Sequence, residues 1–597
     1  MVKLGTPKLL NASFGNKIEH RTYTRRDPFA RIGPSNRWVL LVVLIIIFFV
    51  VGLGRLADLQ IVSGSYYRGL AEGNRIRRIP VKAERGEILD RNNITLARNT
   101  PVYKLATFTT GGVVEKTEKI ERERALRIIA IGGEEASRLL IDVGREYPQA
   151  EIAAHLVGYV NEANSDEIGK VASCQYPVTS KLSSYQLEDL VGRMGIEKEY
   201  ECILRGTNGE ELIEVDARGR LVRRLGRRDP RPGSTIKLTI DSGIQETAYE
   251  ALKSAPDEKG LPRNSNSPLV KGAVVVADSQ NGVLALVSFP AFNPNEINQK
   301  YNKWSEDPAL PFFNRAIGGA YHPGSTFKII TSVAGLEEGV LDVNFKYTDV
   351  GYVEAGGLKF RNWYFTRFGK GEGEMNIVKA ITRSTDTFFY IAGEKVGIDS
   401  LAAWAEKFGL GKKLGIDLPG EAAGLMPNPD WKLKTKGERW YLGNTYNTSI
   451  GQGDVAATPL QINQITSIIA SGGKICPPHV IDQESQISNF KFQISNSCRD
   501  LRLKEETLDL VRQGMVGACS PGGTAGIFFN FTPRVACKTG TAETVGEKTH
   551  AWFTAYGSAE GDSQAQIVAT ALVEEAGEGS VVAAPVVKKI LEKYFGK

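Results

Sequence analysis

The stretch that decides the fold of this chain is Asn314-Arg315-Ala316-Ile317-Gly318-Gly319-Ala320-Tyr321-His322-Pro323-Gly324-Ser325-Thr326-Phe327-Lys328. Pro323-Gly324 predicts a turn through which a preceding helix cannot continue. A mostly apolar helix follows from Ser325 and is predicted to end at Gly339. Because three residues make close to one helical turn, Ser325 and Lys328 are expected on one face of this helix. The pattern therefore places a hydroxyl nucleophile next to an amine.

The surroundings of Lys328 favour its use as a base. Phe327, Ile329 and Ile330 flank it with apolar surface, and partial desolvation lowers the pKa of a lysine amine. An amine with a lowered pKa can take the proton of a serine hydroxyl. Backbone N–H groups at the helix N-terminus can hold a developing oxyanion. A lone Ser-x-x-Lys is more often an ordinary helix start, so this interpretation needs support from elsewhere in the chain.

A second polar motif, Ser384-Thr385-Asp386, follows one predicted helix and precedes another. Such a triplet alone is usually a helix cap. If the triplet lies beside the first motif, Ser384 can carry a proton to the leaving amine of an acyl transfer. Ser384 is therefore predicted to be catalytic together with Ser325 and Lys328.

A third motif, Lys538-Thr539-Gly540-Thr541, lies in a predicted edge strand near the end of the chain. Lys538 supplies a cation, and strand alternation places both threonine hydroxyls on one face. Gly540 allows another backbone to approach closely. This set suits a substrate carboxylate, and the backbone N–H groups of Ser325 and Thr541 are predicted to form an oxyanion hole.

The order of predicted elements indicates an α+β catalytic domain, or α/β in a loose sense. Apolar strands at 273–278 and 283–289 are joined through Asn281-Gly282, a strong hairpin signal. Strand-like runs return, after a largely helical block, at 534–543, 550–557 and 565–573. We therefore expect an antiparallel sheet whose outer strands come from both ends of the domain, with the helical block inserted between them.

Charge and apolar runs indicate how the chain begins. Residues 1–37 carry eight basic and two acidic residues, which accounts for the whole net charge of +6. The remainder is balanced, so a nucleic-acid-binding function has little support. Trp38 to Gly54 is an uncharged apolar run of 17 residues, about 25 Å as a helix. We predict a retained membrane anchor over 38–58, with the basic tail in the cytoplasm and the rest outside; a cleaved signal peptide is the alternative.

The segment between the anchor and the catalytic motifs shows no catalytic constellation. Arg231-Pro232-Gly233-Ser234 marks its end and divides the rest of the chain into residues 59–232 and 233–597. Residues 116–145 are charged with helical periodicity. His155 is interpreted as a hydrogen-bonded structural histidine. The six cysteines show no metal-binding spacing and are interpreted mainly as buried free thiols, with one disulfide possible.

The three motifs, in this order, resemble those of class B penicillin-binding proteins. The resemblance extends from Trp38 to the C-terminus. Its further segments are Arg85-Gly86-Glu87-Ile88, Asp90-Arg91-Asn92, Gly192 to Glu199, Ile450-Gly451-Gln452-Gly453-Asp454, Thr458-Pro459-Leu460-Gln461 and His550-Ala551-Trp552-Phe553. The Ser-x-Asp form of the second motif and the run from Tyr147-Pro148 to Val160 are similar to the elongation-type members. The division-type members are the alternative.

The resemblance implies a peptidoglycan D,D-transpeptidase with a penicillin-binding transpeptidase fold. Ser325 would attack the penultimate D-Ala carbonyl of a stem peptide ending in D-Ala-D-Ala, with Lys328 as the base. Ser384 and Lys538 would relay the proton, and β-lactams would acylate the same serine. The residues expected to bind the substrate are Asp386, Thr539, Gly540 and Thr541. A carboxypeptidase side activity is compatible with this chemistry.

The resemblance also carries expectations about partners and metals. Residues 59–232 would form a non-catalytic, dimerisation-like pedestal. This pedestal and the transmembrane helix would contact a membrane glycosyltransferase of the SEDS type. No cofactor is implied. Some elongation-type members hold zinc with an Asp/Asp/His/Cys set between the first two motifs, but residues 340–383 contain neither His nor Cys, and Lys370 stands where the His would be. We therefore predict no metal.

Asp386 poses a problem for this assignment. A carboxylate close to Lys328 would raise the pKa of that lysine and oppose its role as a base. We therefore hypothesise that Asp386 points instead toward Lys538 or a backbone donor.

Three other functions are weighed against the transpeptidase. A β-lactamase or β-lactam sensor uses the same serine chemistry but leaves the pedestal unexplained. A non-enzymatic scaffold has no need of intact Ser325, Lys328, Ser384 and Lys538. A bifunctional enzyme with glycosyltransferase activity lacks room in residues 59–232.

Overall fold

The structure is a computed structural model, which describes residues 34–108, 114–171, 184–216, 221–264, 267–482, 497–544, 546, 548–559 and 565–597. The chain divides into two units, Met1–Arg77 with Ile213–Arg224, and Arg78–Leu212 with Leu225–Lys597.

The α-helices are α1 (Pro34–Ala57), α2 (Gly64–Arg75), α3 (Arg122–Ile131), α4 (Gly133–Ser137), α5 (Ala154–Val157), α6 (Gly195–Glu199), α7 (Glu201–Leu204), α8 (Ser242–Lys253), α9 (Ile297–Ser305), α10 (Arg315–Gly318), α11 (Lys328–Glu337), α12 (Trp363–Phe368), α13 (Ile377–Arg383), α14 (Asp386–Val396), α15 (Ile398–Lys407), α16 (Pro429–Lys436), α17 (Leu442–Ser449), α18 (Pro459–Ala470), α19 (Glu505–Ala518) and α20 (Ala583–Tyr594).

The strands are β1 (Ile76–Val81), β2 (Ile88–Leu89), β3 (Thr95–Phe108), β4 (Val114–Ile120), β5 (Leu139–Glu146), β6 (Val160–Glu162), β7 (Leu190–Gly192), β8 (Gly209–Val215), β9 (Leu221–Arg228), β10 (Ile236–Lys237), β11 (Gly272–Asp278), β12 (Val283–Phe289), β13 (Tyr347–Asp349), β14 (Tyr352–Ala355), β15 (Leu358–Arg361), β16 (Gly373–Met375), β17 (Lys474–Ile475), β18 (Arg499–Asp500), β19 (Val535–Glu543), β20 (Thr549–Gly557) and β21 (Ile567–Val573). The helical periodicity over 116–145 predicted more helix than the structure contains. In sequence, α3 and α4 are preceded by β4 and followed by β5. Charged residues on exposed strand positions can mimic a helical pattern.

The smaller unit carries the apolar segment that we predicted as a membrane anchor. α1 continues into a π-helical turn, Asp58–Val62. Within the described part of the chain, Trp38–Val62 is the one helix long and apolar enough to cross a bilayer, at 25 residues. Its large apolar side chains are exposed among the residues that the structure describes. The helix is longer than the predicted 38–58; residues 1–33 of the basic tail lie outside the described residues.

The central sheet of the larger unit is antiparallel, with strand order β12-β11-β21-β20-β19. Its outer strands come from the two ends of the catalytic segment, as predicted. Val274 and Val276 pack with α8 and α20 on one face, whereas Ala273 and Val275 belong to a second buried cluster on the other. Because both faces are covered, β11 and β12 read as continuous apolar runs rather than alternating ones.

Local signals placed two of these elements correctly. Asn281 adopts a positive φ of 63° in the turn between β11 and β12, which asparagine tolerates better than most residues. The Asp241 side chain accepts hydrogen bonds from the backbone N–H groups of Gly243 and Ile244 and so caps α8.

The region before the catalytic motifs contains a buried ionic cluster. Arg85 bonds to Glu197 at 2.5 Å and to Glu201 at 2.6 Å, with all three side chains less than one-tenth exposed. A Cβ atom at Gly86 would lie 1.9 Å from the carbonyl oxygen of Ser234. Arg85 and Gly86 of the Arg-Gly-Glu motif therefore have a structural role. The arginine pairs with buried carboxylates, and the glycine allows two backbone segments to lie in close contact.

His155 is a structural histidine, as we predicted. It is buried, and its Nε2 lies 2.8 Å from the carbonyl oxygen of Pro311. Burial lowers its pKa to about 4, so the ring stays neutral in the folded protein.

The cysteines correct the interpretation as free thiols. Cys476 is bonded to Cys498 and Cys519 to Cys537, and Cys202 is also in a disulfide. Among the described cysteines none is free. The spacing of cysteines in a long chain does not reveal which ones lie close together in the fold, so the disulfides could not be predicted from it. Disulfides persist in oxidising compartments, so they agree with a catalytic domain outside the cytoplasm.

We expect loss of the Cys519–Cys537 disulfide to destabilise the larger unit. The bond closes a loop of 18 residues, and a cross-link of that size stabilises a fold by about 3 kcal/mol, chiefly by restricting the unfolded chain. The double variant Cys519→Ser/Cys537→Ser should unfold at a lower denaturant concentration than the wild-type chain. Each single variant is the control, since either one breaks the same bond. Equal midpoints for wild type and double variant would contradict the prediction.

Candidate active site

The first motif forms a tight turn that presents Ser325. Gly324–Phe327 is a 3-10 turn that leads directly into α11, which begins at Lys328. Gly324 has a positive φ of 53°, and its N–H donates to the carbonyl oxygen of Gly451 at 2.9 Å. The motif Ile450-Gly451-Gln452-Gly453 therefore holds the turn that carries the nucleophile.

The third motif packs closely against this turn. A Cβ atom at Gly324 would lie 2.9 Å from the carbonyl oxygen of Thr541, and one at Gly540 would lie 3.0 Å from Cγ2 of Thr326. Both glycines are therefore required for the two backbones to approach. β19, which carries Lys538 to Thr541, is the edge strand of the central sheet, as predicted.

The motifs meet in a cleft of about 1010 Å³. Its lining includes Ser325, Ser384, Asp386, Thr539 and Thr541. The two lysines, Lys328 and Lys538, lie beneath it and are fully buried. The predicted site residues therefore come together in one place.

Ser384 lies between the two lysine amines. Lys538 Nζ donates to Ser384 Oγ at 2.9 Å, and Lys328 Nζ lies 3.3 Å from the same oxygen. Lys328 Nζ also donates to the Ser384 carbonyl oxygen at 2.7 Å. A proton can therefore move between the two amines through one hydroxyl group.

Burial controls the protonation of both lysines. Desolvation lowers the pKa of Lys328 from its usual value, and the nearby Asp386 carboxylate opposes this effect. Desolvation and the positive charge of Lys328 together hold the pKa of Lys538 well below its usual value. A lysine with a lowered pKa is a usable base near neutral pH.

Asp386 bonds to Lys328 and also to a backbone donor, so the hypothesis was wrong about Lys328 and right about the backbone donor. Its Oδ1 accepts from Lys328 Nζ at 2.6 Å. Its Oδ2 accepts from the backbone N–H of Trp363 at 2.8 Å, so the expected backbone donor exists as well. The carboxylate raises the pKa of Lys328, but the complete burial of the amine is the larger effect and the net direction is downward.

We expect Asp386→Asn to move the acid limb of the acylation pH profile to lower pH. With Lys328 as the base predicted from the sequence, acylation rises with pH as the amine loses its proton, and the Asp386 carboxylate favours the protonated amine. An asparagine keeps an acceptor for Trp363 but withdraws that charge. The measurement is the rate of covalent reaction with benzylpenicillin against pH. Asp399→Asn, an exposed aspartate in the first turn of α15, is the matched control, and an unchanged or raised limb for Asp386→Asn would refute the expectation.

The threonines of the third motif also face the cleft. Thr539 Oγ1 lies 3.0 Å from Thr524 Oγ1, and Thr541 Oγ1 accepts from the N–H of Gly579 at 3.4 Å. Both hydroxyls can therefore orient toward a bound carboxylate.

Several residues of the site carried no sequence signal. Asn447, Thr524 and Arg361 line the cleft, yet each stands alone in its segment. Asp349, Asn362 and Glu372 lie between the first two motifs, in the segment for which we predicted no metal. They bond to one another, to Thr385 of the second motif and to Thr387 after it. That no zinc binds stays a prediction.

Two protein-family models match parts of the chain that follow the membrane segment. Residues 272–592 match the penicillin-binding protein transpeptidase domain, and residues 137–238 match the penicillin-binding protein dimerisation domain. The peptidoglycan D,D-transpeptidase MrdA of Acinetobacter baumannii is 34% identical over 553 residues, which is 83% of this chain and 78% of that protein. MrdA of Escherichia coli K12 is 30% identical over 555 residues, covering 85% of this chain and 84% of its own length.

Solved structures agree with these relatives. The crystal structure of Pseudomonas aeruginosa PBP2 in complex with WCK 5153 has a TM-score of 0.66 at 31% identity, covering 87% of this chain and 96% of that one. PBP2 in its complex with MreC from Helicobacter pylori has a TM-score of 0.71 at 27% identity, covering 87% and 99%. Nothing in these matches favours the division-type alternative. The chain therefore belongs to the class B penicillin-binding proteins and is an elongation-type peptidoglycan D,D-transpeptidase of the MrdA (penicillin-binding protein 2) family.

Proposed function

We propose that the reaction proceeds through an acyl-enzyme on Ser325. The observation that carries this proposal is the position of Ser384 Oγ, 3.3 Å from Lys328 Nζ and 2.9 Å from Lys538 Nζ, beneath a cleft that Ser325 lines. Neutral Lys328 takes the proton of the Ser325 hydroxyl as the serine oxygen attacks the penultimate D-Ala carbonyl carbon. The N–H groups of Ser325 and Thr541 hold the resulting oxyanion.

Collapse of the tetrahedral intermediate requires a proton on the leaving amine. The proton held by Lys328 passes through Ser384 Oγ, whose other contact is Lys538. The C–N bond then breaks, D-Ala leaves as the neutral amine, and the stem peptide stays as an ester on Ser325. An amine of a neighbouring stem peptide attacks the ester carbon and gives a proton to Lys328. The bond between the acyl carbon and the Ser325 oxygen then breaks, the Ser325 oxygen takes that proton back from Lys328, and the cross-linked peptide leaves with a new amide bond.

The substrate carboxylate is assigned to the third motif. Thr539 and Thr541 line the cleft from one face of β19, and Lys538 beneath them supplies positive charge when protonated. Gly540 adds no side chain and keeps the strand close to the nucleophile turn. Asp386 acts on substrate through Lys328 rather than by direct contact.

The test of this proposal is D-Ala exchange on a synthetic stem pentapeptide. The full-length chain in detergent is supplied with the peptide and with labelled D-Ala as the acceptor amine. We expect penicillin-sensitive release of unlabelled D-Ala and incorporation of the label. Hydrolysis without incorporation would show a carboxypeptidase instead, and penicillin-insensitive release would exclude Ser325 chemistry.

We further propose that the apolar helix Trp38–Val62 anchors the chain with its N-terminus in the cytoplasm. The proposal rests on the net charge of +6 in residues 1–37, since basic residues flanking a span are retained on the cytoplasmic side. Disulfides in the described catalytic segment agree with an oxidising exterior. Protease added to intact spheroplasts should remove the catalytic domain, and full protection would contradict this topology.

Residues 59–232 are proposed as a pedestal that binds a peptidoglycan glycosyltransferase of the SEDS type, and residues 233–597 as the catalytic domain. A structural neighbour titled as a peptidoglycan synthase complex that coordinates polymerization and crosslinking supports this, with a TM-score of 0.73 at 30% identity. A chain lacking residues 1–232 should lose co-purification with the glycosyltransferase in detergent. Retained co-purification would place the contact in the catalytic domain.

A further inference from the structure

Three buried polar side chains outside the cleft form hydrogen bonds to residues 385–387, at the end of the second motif and directly after it. They are Asp349 at the end of β13, Asn362 before α12, and Glu372 before β16. Asp349 is 2% exposed and Asn362 is fully buried, while the Glu372 side chain is 4% exposed. We call these three residues the buried clasp. We propose that the buried clasp positions Ser384 between the two catalytic lysines and is required for the speed of acylation; this inference rests on the function proposed for Ser384.

The clasp bonds to three consecutive residues, which are the last two of the second motif and Thr387 directly after it. Glu372 Oε2 accepts from the Thr385 hydroxyl at 2.9 Å. Asn362 Oδ1 accepts from the backbone N–H of Asp386 at 3.1 Å. Asp349 Oδ1 accepts from the Thr387 hydroxyl at 2.7 Å.

The residue before Ser384 is fixed by the same region. Arg383 Nε donates to Glu372 Oε1 at 2.8 Å, and the indole N–H of Trp363 donates to the Arg383 carbonyl oxygen at 3.1 Å. The backbone is thus held on both sides of Ser384.

The clasp is also bonded within itself. The Asn362 amide nitrogen donates to Asp349 Oδ2 at 2.9 Å and to Glu372 Oε2 at 3.0 Å, and the backbone N–H of Glu372 donates to Asp349 Oδ2 at 2.8 Å. Only an amide side chain can donate to two carboxylates and accept from a backbone N–H in one position. Because every member is satisfied, the network fixes one arrangement of this region.

Ser384 needs such support because its backbone conformation is unusual. Its φ is 58°, in the left-handed region, which residues other than glycine, asparagine and aspartate adopt rarely. A conformation of this kind persists only where the surroundings hold it. Without the clasp, the Ser384 hydroxyl would move away from the two amines, and a displacement of about 1 Å in a catalytic group can slow a reaction about a hundredfold.

The experiment measures the acylation of the full-length chain by benzylpenicillin, separated into the dissociation constant of the non-covalent complex and the rate constant of the covalent step. We expect Glu372→Gln to slow the covalent step about ten- to a hundredfold and to change the dissociation constant less than twofold. Rates are normalised to the final fraction of chain acylated, so that unfolded protein does not contribute. Glu374→Gln is the matched control, since that glutamate is exposed and lies only two residues away.

Thr385→Val keeps the test decisive if Glu372→Gln fails to fold. It removes the hydroxyl that bonds to Glu372 and keeps the shape of the side chain. We expect it to slow the covalent step as well, but less than Glu372→Gln, because Glu372 also bonds to Asn362 and Arg383. The double variant should be close to Glu372→Gln alone, since the two single variants share the contact between Thr385 and Glu372. A wild-type covalent rate in either folded variant, with or without a lower melting temperature, would overturn the proposal. That result leaves Ser325 acylated, so it is distinct from failure of the acyl-enzyme mechanism, in which wild-type chain forms no adduct on Ser325.

Discussion

A chain with Ser325→Ala is expected to release no D-Ala from stem peptides above background. The nucleophile is then absent, and the adjacent Thr326 hydroxyl is not placed to replace it. Thr326 is fully buried, and its hydroxyl donates to the carbonyl oxygen of Pro323 at 2.8 Å. Loss of a nucleophilic serine lowers turnover by about 10⁴-fold or more. The measurement is the rate of D-Ala release per folded chain.

Two controls separate lost chemistry from lost structure. The melting temperature of Ser325→Ala should stay close to that of wild type, because a half-buried hydroxyl at a turn contributes only a few tenths of a kcal/mol, about the range of surface substitutions. Thr326→Ser, which keeps the buried hydroxyl, should retain activity. Residual D-Ala release from Ser325→Ala that penicillin still inhibits would mean that another residue is the nucleophile.

The second large effect is expected for Lys328→Met, which should slow acylation about 10²- to 10⁴-fold through loss of the general base. The same change leaves the Asp386 carboxylate without the Lys328 amine that bonds to it, in a site where the lysine is fully buried and the aspartate side chain 12% exposed. Breaking such a pair costs about 3–5 kcal/mol of folding stability. Acylation and melting temperature should therefore both fall.

A double variant distinguishes the two consequences. In Lys328→Met/Asp386→Asn the unpaired charge is gone, so the melting temperature should recover toward that of wild type. Acylation should stay slow, since no base is restored. Recovery of acylation together with stability would show that Lys328 has only a structural role, contrary to the mechanism.

The catalytic motifs could be recognised before the structure because each carries its chemistry in adjacent residues. Ser325 and Lys328 are one helical turn apart, and Lys538 to Thr541 alternate along one strand. The hairpin at Asn281-Gly282 and the cap at Asp241 are likewise local, so their prediction did not depend on the rest of the fold. The order of strands in the central sheet followed from the positions of apolar runs at both ends of the domain.

What could not be predicted depends on residues distant in the sequence. Whether Asp386 faces Lys328 or Lys538 is decided by its second oxygen, which accepts from Trp363. Asn362 and Glu372 stand in a segment without periodicity, and only the fold shows that both reach the second motif. The same holds for Cys519 and Cys537, whose pairing requires α19 to end beside β19.

The positive φ of Ser384 could not be predicted from the sequence either, because serine rarely adopts the left-handed conformation. The conformation matters because it directs the hydroxyl toward two amines. A helix cap, which is the ordinary role of a serine at such a junction, would direct it to backbone N–H groups instead.

The most direct measurement of the central claim is the location of the penicilloyl group on the full-length chain. Benzylpenicillin is added, the chain is digested, and the modified peptide is sequenced by mass spectrometry. We expect one slowly lost adduct, on Ser325. An adduct on another residue, no adduct, or rapid turnover to free penicilloate would contradict it.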